Sequence, residues 1–409
     1  MQLEYIDRKY KTSKKDLVVT YRAEPDKISL EDACEQIAAE SSIGTWTDIS
    51  TMSPEIGKRL KPHVFFIDKN SGIVKIAYSS DLFEEGNMPQ IWSAVAGNIF
   101  GMKVVDNLRL VDIEFPRNIV KSFKGPVFGI EGIRKLLKAK YRPLCGTIIK
   151  PKVGLDEKNH ARVAYEAWGG GLDIVKDDEN LTSMVFNNFE KRILETLKLR
   201  DKAEAETGEK KVYMANVTSE SKTMLKRARF VRDCGGEYVM VDILTLGWSA
   251  LQTLIDEGMG LVIHAHRAGH AALTRNKRHG ISMKVIAKTA RLIGADQLHI
   301  GTVVGKMEGE REEVLDIRDS LTEDIGIKTT FPVASGGLHP GHVPSLVKIF
   351  GNDIIMQFGG GCHGHPQGTA SGAKAIRQAI SATGDKVSLG DYAKSHKELR
   401  EALLKWKNA

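Results

Sequence analysis

A lysine and three acids stand together at residues 176–179, Lys-Asp-Asp-Glu, directly after an apolar run. Alternate side chains of a β-strand share a face, so Lys176 and Asp178 would point the same way, and Glu179 would join them where the strand ends. Burial would lower the pKa of the amine, whereas the acids would raise it. A neutral amine can react with CO₂ to give a carbamate, whose oxygens and two carboxylates suit Mg²⁺. A structural Lys–Asp ion pair is the simpler alternative.

Two lysines, Lys150 and Lys152, flank a proline at the end of another apolar run. Repulsion between them would lower the pKa of one amine, which could then donate or accept a proton near neutral pH. A phosphate-neutralising pair and a plain surface charge remain open alternatives.

The segment HAHRAGH begins with His264 and His266, two residues apart, followed by Arg267. A strand would present both imidazoles on one face, which is a typical arrangement for zinc. The same set could bind phosphate and hydroxyl groups, with Arg267 as a charged clamp. Core histidines are the alternative, especially for His264.

Glycines are frequent at the ends of three further apolar runs. After His299, the segment GTVVGKMEGE surrounds Lys306 with glycines, which is typical of a hinged loop that brings a cation over a site, although an exposed loop lysine would look the same. Ser335-Gly336-Gly337 and Gly359-Gly360-Gly361 offer bare backbone amides that can bind phosphate near a helix N-terminus. Two such turns and two cationic groups together predict a bisphosphate ligand.

These endings belong to eight short apolar runs, each followed by a helical pattern. Strands buried on both faces read as nearly continuous hydrophobics, and eight of them favour a (β/α)₈ TIM barrel, whose chemistry sits at the C-terminal ends of its strands. A doubly wound open sheet is the alternative fold. The predicted strands are 146–152, 171–179, 212–218, 237–244, 260–266, 296–302, 329–335 and 353–359.

The first part of the chain mixes strand and helix periodicities and predicts an α+β ferredoxin-like domain. DLVVTYRAEP is typical of a strand, and SLEDACEQIAAESS of a helix capped by Ser29 and Asp32. HVFFIDKNSGIVKIAYSS predicts a hairpin, MPQIWSAVAGNIFGM a second helix and NLRLVDIEFP a last strand. We therefore expect two domains, residues 1–125 and the barrel with its C-terminal helical tail at 126–409.

Composition narrows the class of partner. The 409 residues carry 59 basic and 52 acidic side chains, a net charge of +7 that favours anionic ligands such as phosphate esters. The sequence contains no basic stretch interleaved with aromatic residues, so it does not predict nucleic-acid binding. Four scattered cysteines and a polar, charged N-terminus without a long apolar run indicate a cytoplasmic protein with no membrane association.

Taken in order, these segments resemble the Rubisco large-chain family along nearly the whole sequence. GTIIKPKVGL, GGLDIVKDDEN, HAHRAGHA, HIGTVVGKMEG, FPVASGGLHPGH and QFGGGCHGHP look like its barrel motifs. AAESSIGTWTDI and AGNIFGMK look like the segments that one subunit lends to its neighbour's active site. The resemblance implies Mg²⁺-dependent enolisation of ribulose-1,5-bisphosphate, addition of CO₂ or competing O₂, and, after CO₂ addition, cleavage to 3-phosphoglycerate.

For the reacting groups, the resemblance implies that Lys176 is carbamylated by an activator CO₂ and that the carbamate is the base for enolisation. Asp178 and Glu179 would be the other Mg²⁺ ligands. Lys150, with Lys152 beside it, would manage later proton transfers.

Four more catalytic roles follow from the same resemblance. His266 would be an acid–base histidine, and Lys306 would steady the incoming CO₂ and the new carboxylate. Glu40 and Asn98 would come from the partner subunit, Glu40 to position Lys306 and Asn98 to lie near the metal and substrate. The implied substrate-binding residues divide between the two phosphates: Arg267, His299, Ser335 and the adjoining Gly336 for one, and Thr45, Trp46, Gly337, Gly359 and Gly360 for the other.

The resemblance also implies a homodimer with shared active sites, open to higher assemblies of dimers and without a small subunit. HAHRAGHA and GGGCHGHP are most similar to the archaeal form III branch, which is often tied to nucleotide-phosphate salvage. Ile43 stands where the plant-type sequence has a threonine, and the short tail LLKWKNA puts in doubt a latch over the Lys306 segment.

Three other functions are compatible with parts of this pattern. A Rubisco-like sugar-phosphate enolase or isomerase without CO₂ fixation usually lacks several matched residues, whereas here the lysines, His266, Glu40 and Asn98 are all present. A carbamylated-lysine hydrolase with two metals would carry its H-x-H on the first strand, not on the fifth. An inactive assembly subunit would show no turnover.

Overall fold

The computed structural model describes residues 3–47, 49–304 and 311–407. They form two compact units. The first comprises Met1–Gly125, Gly269–Ile293 and Asp324–Ile327, and the second comprises Pro126–Ala268, Gly294–Glu323 and Lys328–Ala409. No helix among the described residues is long and apolar enough to cross a membrane.

The chain up to residue 125 alternates strands with short helices. Its elements are β1 (Asp16–Pro25), α1 (Leu30–Glu40), α2 (Pro54–Leu60), β2 (His63–Asp68), β3 (Ile73–Ser79), α3 (Met88–Val95), β4 (Val105–Glu114) and α4 (Arg117–Lys121). The antiparallel order β4-β1-β3-β2 with crossover helices is the ferredoxin-like arrangement. It follows from strands whose apolar residues pack on one side against α1 and α3.

Local sequence explains most of these boundaries. The Ser29 hydroxyl accepts from the Asp32 amide and so caps α1. The turn between β2 and β3 needs Gly72, which has a φ of +71° and where a Cβ would approach the Ala23 carbonyl oxygen to 2.7 Å. The second predicted helix is shorter than expected: α3 ends at Val95, and a 3₁₀ turn at Asn98–Gly101 follows the non-helical Gly97.

The remaining chain supplies the barrel and its surrounding helices. In order these elements are α5 (Gly129–Leu137), β5 (Leu144–Ile148), α6 (Glu157–Gly169), β6 (Ile174–Lys176), α7 (Phe189–Thr207), β7 (Val212–Asn216), α8 (Ser221–Asp233), β8 (Tyr238–Asp242), α9 (Ile243–Leu246), α10 (Trp248–Asp256), β9 (Val262–His266), α11 (Ala271–Thr274), β10 (Gly280–Ile281), α12 (Met283–Ile293), β11 (Gln297–Gly301), α13 (Arg311–Thr322), β12 (Phe331–Ser335), α14 (Val343–Phe350), β13 (Ile355–Phe358), α15 (Gly360–His363), α16 (Thr369–Gly384), α17 (Leu389–Ser395) and α18 (Lys397–Lys405).

Eight parallel strands close into a barrel in the order β5-β6-β7-β8-β9-β11-β12-β13. The prediction of a TIM barrel is therefore confirmed, and each predicted run overlaps one barrel strand; β5 begins before its predicted run, at Leu144. The short strand β10 instead extends the first unit's sheet, parallel to β4. Buried apolar side chains fill the lower barrel, among them Leu144, Ile174, Val212, Met214, Tyr238, Met240, Val262, Phe331, Val333 and Ile355. That packed floor leaves the C-terminal strand ends to carry polar groups.

Candidate active site

Lys176 is the last residue of β6, and its side chain is fully buried. Its Nζ donates to the Asp177 carbonyl oxygen at 2.8 Å and lies 3.7 Å from Glu179 Oε2. Burial lowers the pKa of this amine, and the neighbouring acids Glu179 and Asp178 offset only part of the shift. The site thus holds a lysine that loses its proton more readily than an exposed one.

Asp178 is buried beside that lysine and pairs with Lys150 across the strand ends. Lys150 Nζ lies 2.8 Å from Asp178 Oδ2, while the Asn180 amide donates to Oδ1 at 3.2 Å. Burial raises the pKa of Asp178, but the hydrogen bond and charge of Lys150 outweigh it and leave the pKa below its ordinary value. The carboxylate is therefore ionised at neutral pH.

Glu179 lies between Lys176 and His266. The Glu179 Oε2 atom is 3.7 Å from both Lys176 Nζ and His266 Nε2. On its other side, the His266 ring places Nδ1 3.0 Å from Asp242 Oδ1, an oxygen that also accepts from the Ala268 amide at 2.8 Å. Asp242 ends β8, so two neighbouring strands fix the orientation of one imidazole.

A divalent cation is compatible with this donor set. Asp178 and Glu179 offer two hard oxygen ligands, and Mg²⁺ sites commonly use one or two carboxylates together with other oxygens. Among the described residues no group of three or more His, Cys, Asp or Glu side chains could hold a metal ion. A third protein oxygen at this point would have to come from a modified Lys176, whose buried amine lies beside Glu179.

Asp177 turns away from its neighbours into a buried polar network. Its carboxylate accepts from Tyr213 Oη at 2.6 Å and from the Asn216 amide at 2.9 Å. His160 Nε2 and Arg192 Nη2 lie 3.0 and 3.3 Å from it. Although burial raises the pKa of Asp177, Arg192 and His160 hold it well below its ordinary value. The network anchors the segment that carries Lys176, Asp178 and Glu179.

A second cluster occupies the ends of β9, β11 and β12. His299 Nδ1 lies 2.7 Å from Ser335 Oγ, and His299 Nε2 lies 2.9 Å from His264 Nε2. Arg267 approaches Gly301 so closely that a Cβ there would lie 2.8 Å from its guanidinium. Burial lowers the pKa of Arg267 to about 10, which still leaves it cationic at neutral pH. A cation, an imidazole and a hydroxyl therefore meet at one side of the barrel mouth.

The two glycine-rich turns begin where β12 and β13 end. Gly336 and Gly337 have φ values of +114° and +66°, which side chains rarely adopt. A Cβ on Gly360 would meet no atom within 4 Å, and one on Gly359 would touch only Lys150 Cε, at 3.5 Å. The backbone at Gly359 and Gly360 is therefore open to a ligand beside Lys150.

The remaining sequence-predicted residues lie elsewhere. In the first unit, Glu40 accepts from Asn98 Nδ2 at 3.2 Å. Glu40, Thr45 and Trp46 line one pocket of about 220 Å³ in that unit. Lys152 is exposed, and its predicted neighbour Lys150 pairs with Asp178. Lys306 lies outside the described residues.

Sequence reasoning missed three residues that organise the site. Asp242 had a signal, since it ends an apolar run as the other polar endings do. Asp177 lies inside the predicted lysine–acid cluster but received no role, because strand alternation only says that it faces the other way. Gln297 gave no signal, since a glutamine within a strand is unremarkable until its neighbours are known.

Two family models match the chain. The ribulose bisphosphate carboxylase large chain catalytic domain matches residues 129–406, and the N-terminal domain of the same large chain matches residues 4–119. Among curated relatives, the ribulose bisphosphate carboxylase of Methanosarcina mazei is 55% identical over 99% of this chain and 99% of its own. The ribulose bisphosphate carboxylase of Methanocaldococcus jannaschii is 50% identical, and the match covers 99% of this chain and 100% of the relative.

Two solved structures of archaeal enzymes share the fold of this chain. Octameric ribulose-1,5-bisphosphate carboxylase/oxygenase from Pyrococcus horikoshii, solved with sulfate ion, superposes with a TM-score of 0.95 at 50% identity and covers 98% of this chain and 96% of its own. Dimeric archaeal Rubisco from Hyperthermus butylicus gives a TM-score of 0.94 at 44% identity, with 99% of both chains covered. The chain therefore belongs to the ribulose bisphosphate carboxylase large-chain family, within its archaeal type.

Proposed function

We propose that this chain is a ribulose-1,5-bisphosphate carboxylase that adds CO₂ to the substrate and releases 3-phosphoglycerate. The observation that carries the proposal is the cluster of Lys176, Asp178 and Glu179 at the barrel mouth, with Lys150 and His266 in contact with its acids. Full-length relatives named as carboxylases favour this function over a sugar-phosphate isomerase without CO₂ fixation.

Asp178, Glu179 and a carbamylated Lys176 would hold Mg²⁺. When bound, the cation would polarise the substrate oxygens and stabilise the negative charge that develops on them. Two features of the chain support this assignment: the lowered pKa of the Lys176 amine, which favours reaction with CO₂, and the two hard carboxylates beside it.

The chain's own residues divide the proton transfers. Once carbamylated, Lys176 would accept the proton from C3 of ribulose-1,5-bisphosphate, which leaves an enediolate whose C2 attacks CO₂. His266 can hold or release a proton at Nε2 because Asp242 fixes its other nitrogen. Lys150, with Lys152 next to it on the surface, would deliver protons late in the reaction. O₂ would compete for the same enediolate.

The two phosphates of the substrate would bind at opposite sides of the barrel mouth. Arg267, Ser335 and the Gly336 amide would supply the donors for one, and His299 would orient the Ser335 hydroxyl, from which its Nδ1 lies 2.7 Å away. Gly337, Gly359 and Gly360 would offer backbone amides to the other, joined by Thr45 and Trp46 of the neighbouring subunit. Lys306 would close over the new carboxylate, a role that rests on the family resemblance.

A homodimer with shared active sites completes the proposal. The relatives include a dimeric and an octameric archaeal enzyme, which supports a dimer that can assemble further without a small subunit. Glu40 and Asn98 contact each other in the first unit and would act together on a neighbouring barrel. We further propose form III chemistry in the cytoplasm, tied to nucleotide-phosphate salvage.

The test is incorporation of ¹⁴CO₂ into acid-stable product from ribulose-1,5-bisphosphate, after preincubation with Mg²⁺ and bicarbonate. We expect label in 3-phosphoglycerate for the wild type, and less than about one thousandth of that rate for Lys176→Ala and Lys306→Ala. Lys202→Ala, which removes an exposed lysine of α7, is the control and should keep full activity.

Two results would contradict the proposal. Consumption of ribulose-1,5-bisphosphate without ¹⁴C incorporation would favour the isomerase, and activity that survives in Lys176→Ala would remove the proposed role of that lysine. Mass spectrometry of protein trapped with ¹³CO₂ should locate the carbamate on Lys176 independently of turnover.

A further inference from the structure

Three buried side chains and the half-buried Ser335 form a continuous hydrogen-bonded line inside the barrel, which we call the imidazole chain: Gln297, His264, His299 and Ser335. Gln297 Oε1 lies 2.9 Å from His264 Nδ1, and His264 Nε2 lies 2.9 Å from His299 Nε2. His299 Nδ1 lies 2.7 Å from Ser335 Oγ. The chain runs from the middle of the barrel to the turn at Gly336.

Both imidazoles of the chain are neutral. Burial lowers the pKa of His264 and of His299 well below the ordinary value, and each ring also lies near other basic groups. A neutral imidazole carries one N–H and one lone pair. Two such rings in a line with a hydroxyl and an amide permit only two complete orders of donation.

In the outward order every donor points towards the barrel mouth. The Gln297 amide would donate to His264 Nδ1, His264 Nε2–H to His299 Nε2, and His299 Nδ1–H to Ser335 Oγ. The Ser335 proton is then left for an outside acceptor. In the inward order every donation is reversed. Ser335 then donates its proton to His299 and presents only lone pairs towards the barrel mouth. Only the outward order can favour an anion at Ser335.

Gln297 can support either order, because a half turn of its amide exchanges the acceptor and the donors. In the structure Oε1 faces His264, and Nε2 has no partner among the described residues. The half turn would leave Oε1 unpaired instead. Neither orientation satisfies every polar atom of the amide, so the half turn costs little and a bound anion can select it.

We propose that Gln297 is a positioning residue for substrate: acting through His264 and His299, its amide sets the order of donation and makes Ser335 a donor to an anionic group. This rests on the proposed function only in taking the anion to be a phosphate of ribulose-1,5-bisphosphate. In the free protein the inward order holds, with Gln297 accepting from His264.

The first test reads the protons directly. Histidine ¹⁵N shifts distinguish the two neutral tautomers, and His264→Asn and His299→Asn spectra assign the two rings. With saturating inorganic phosphate we expect His264 to carry its proton on Nε2 and His299 on Nδ1; without phosphate both should carry it on the opposite nitrogen. His299 protonated at Nε2 in the phosphate-bound protein would overturn the inference, as would identical tautomers in both states.

The second test measures Gln297→Met, which keeps the length of the side chain but removes both polar atoms. Without Gln297 to set the order of donation, Ser335 should be a poorer donor to the phosphate. The KM for ribulose-1,5-bisphosphate should therefore rise about tenfold, with kcat changed less than about twofold. The matched control is Gln357→Met: Gln357 is equally buried on β13, which β12 separates from β11, and both its amide atoms are unpartnered among the described residues. It is not part of the imidazole chain.

A double-mutant cycle tests the route. If Gln297 acts through Ser335, Gln297→Met should change KM less than about twofold in a Ser335→Ala background. Additive effects, or an equal rise in KM for Gln357→Met, would contradict the inference. The tautomer measurement uses inorganic phosphate and no turnover. If the protein shows the tautomer change but has no carboxylase activity, only the proposed function is contradicted. If the enzyme is active but the tautomers do not change, only this inference is contradicted.

Discussion

At His266 a neighbouring carboxylate decides which nitrogen can do chemistry. An ionised Asp242 is only an acceptor, so the His266 nitrogen that faces it at 3.0 Å carries a proton. The other nitrogen, Nε2, is left as the reactive atom and faces Glu179 at 3.7 Å. A histidine held in one tautomer exchanges protons at one defined position, as acid–base catalysis requires.

Asp242→Asn should therefore lower kcat about tenfold to hundredfold while changing KM little, because an amide can donate to the ring and stabilise the wrong tautomer. Steady-state carboxylation kinetics measure both constants. Asp233→Asn, on the exposed end of α8, should match the wild type. An Asp242→Asn enzyme with normal kcat would show that His266 needs no orientation by this carboxylate.

At the same scale, residue types and strand alternation predicted the Lys176, Asp178 and Glu179 cluster well, because those residues are adjacent in sequence. The sequence did not predict the partner of Lys150, which pairs with Asp178, twenty-eight residues away. The role that we propose for Gln297 depends on its contact with His264, on another strand. Contacts that close across the barrel depend on register, which a single sequence does not specify.

At the scale of elements, β6 ends in a segment fixed from two directions. Asp178 faces the barrel mouth, whereas Asp177 faces α6, α7 and β7 through His160, Arg192 and Tyr213. Asn216 of β7 adds a bond from its amide side chain to the Glu179 carbonyl at 3.0 Å. The two acids that we propose as metal ligands are thus positioned by a charged network that has no access to solvent.

Removing one charge from that network should cost much stability. We expect Asp177→Asn to lower the free energy of unfolding by about 3–5 kcal/mol, since Arg192 is left buried without its counter-ion. Urea denaturation measures the change. Asp177→Asn combined with Arg192→Met should recover a large part of the loss; a double variant no more stable than the single one would contradict the charge-pairing explanation.

The junction of β13 and α15 carries a half-buried histidine, His363, with a measurable consequence. Burial lowers the pKa of His363 to about 4, while its ring contacts the Ile148 carbonyl at 3.0 Å and Thr369 Oγ1 at 3.0 Å. Between that value and the ordinary 6.5, the unfolded chain binds a proton that the native state does not. Stability should therefore fall as the pH drops from 6.5 towards 4.

This single group accounts for a loss of roughly 3 kcal/mol across that window. His363→Gln, which cannot titrate, should be less stable at pH 7 but should show a shallower decline in the free energy of unfolding between pH 6.5 and 4. Denaturant titrations at several pH values give the slopes. Burial also lowers the pKa of His342 to about 4, so this residue should still contribute to the decline in the His363→Gln protein. Equal slopes for variant and wild type would show that His363 protonates normally in the native state.

Element prediction succeeded where periodicity was strong. All eight barrel strands were predicted, because each is a continuous apolar run with a polar ending. The strand β10 was missed, since two residues carry no periodicity and β10 pairs with β4, a segment 171 positions away. The end of α3 was missed for a different reason: the apolar spacing continues past Val95, but the backbone at Gly97 is not helical.

At the scale of the whole molecule, the proposed catalytic residues are divided between the two units. The barrel unit holds Lys150, Lys176, Asp178, Glu179 and His266, whereas the first unit holds Glu40 and Asn98, bonded to each other. If each active site combines a barrel with its partner's first unit, two inactive variants can complement each other. One site of a mixed dimer would then receive both defects and the other site none.

Lys176→Ala and Glu40→Gln should each be inactive alone, yet a co-expressed mixture purified through two different tags should recover about half of the wild-type activity per dimer, by that count of intact sites. The measurement is ¹⁴CO₂ incorporation by the doubly tagged fraction, with Lys176→Ala carrying both tags as the background. A second mixture, Lys176→Ala with Asp178→Asn, places both defects in barrels, so every site keeps one of them and no activity should return. Recovery in the first mixture alone requires sites built from two chains. Doubly tagged dimers that stay inactive in both would place Glu40 and Lys176 in the same subunit's site or in none.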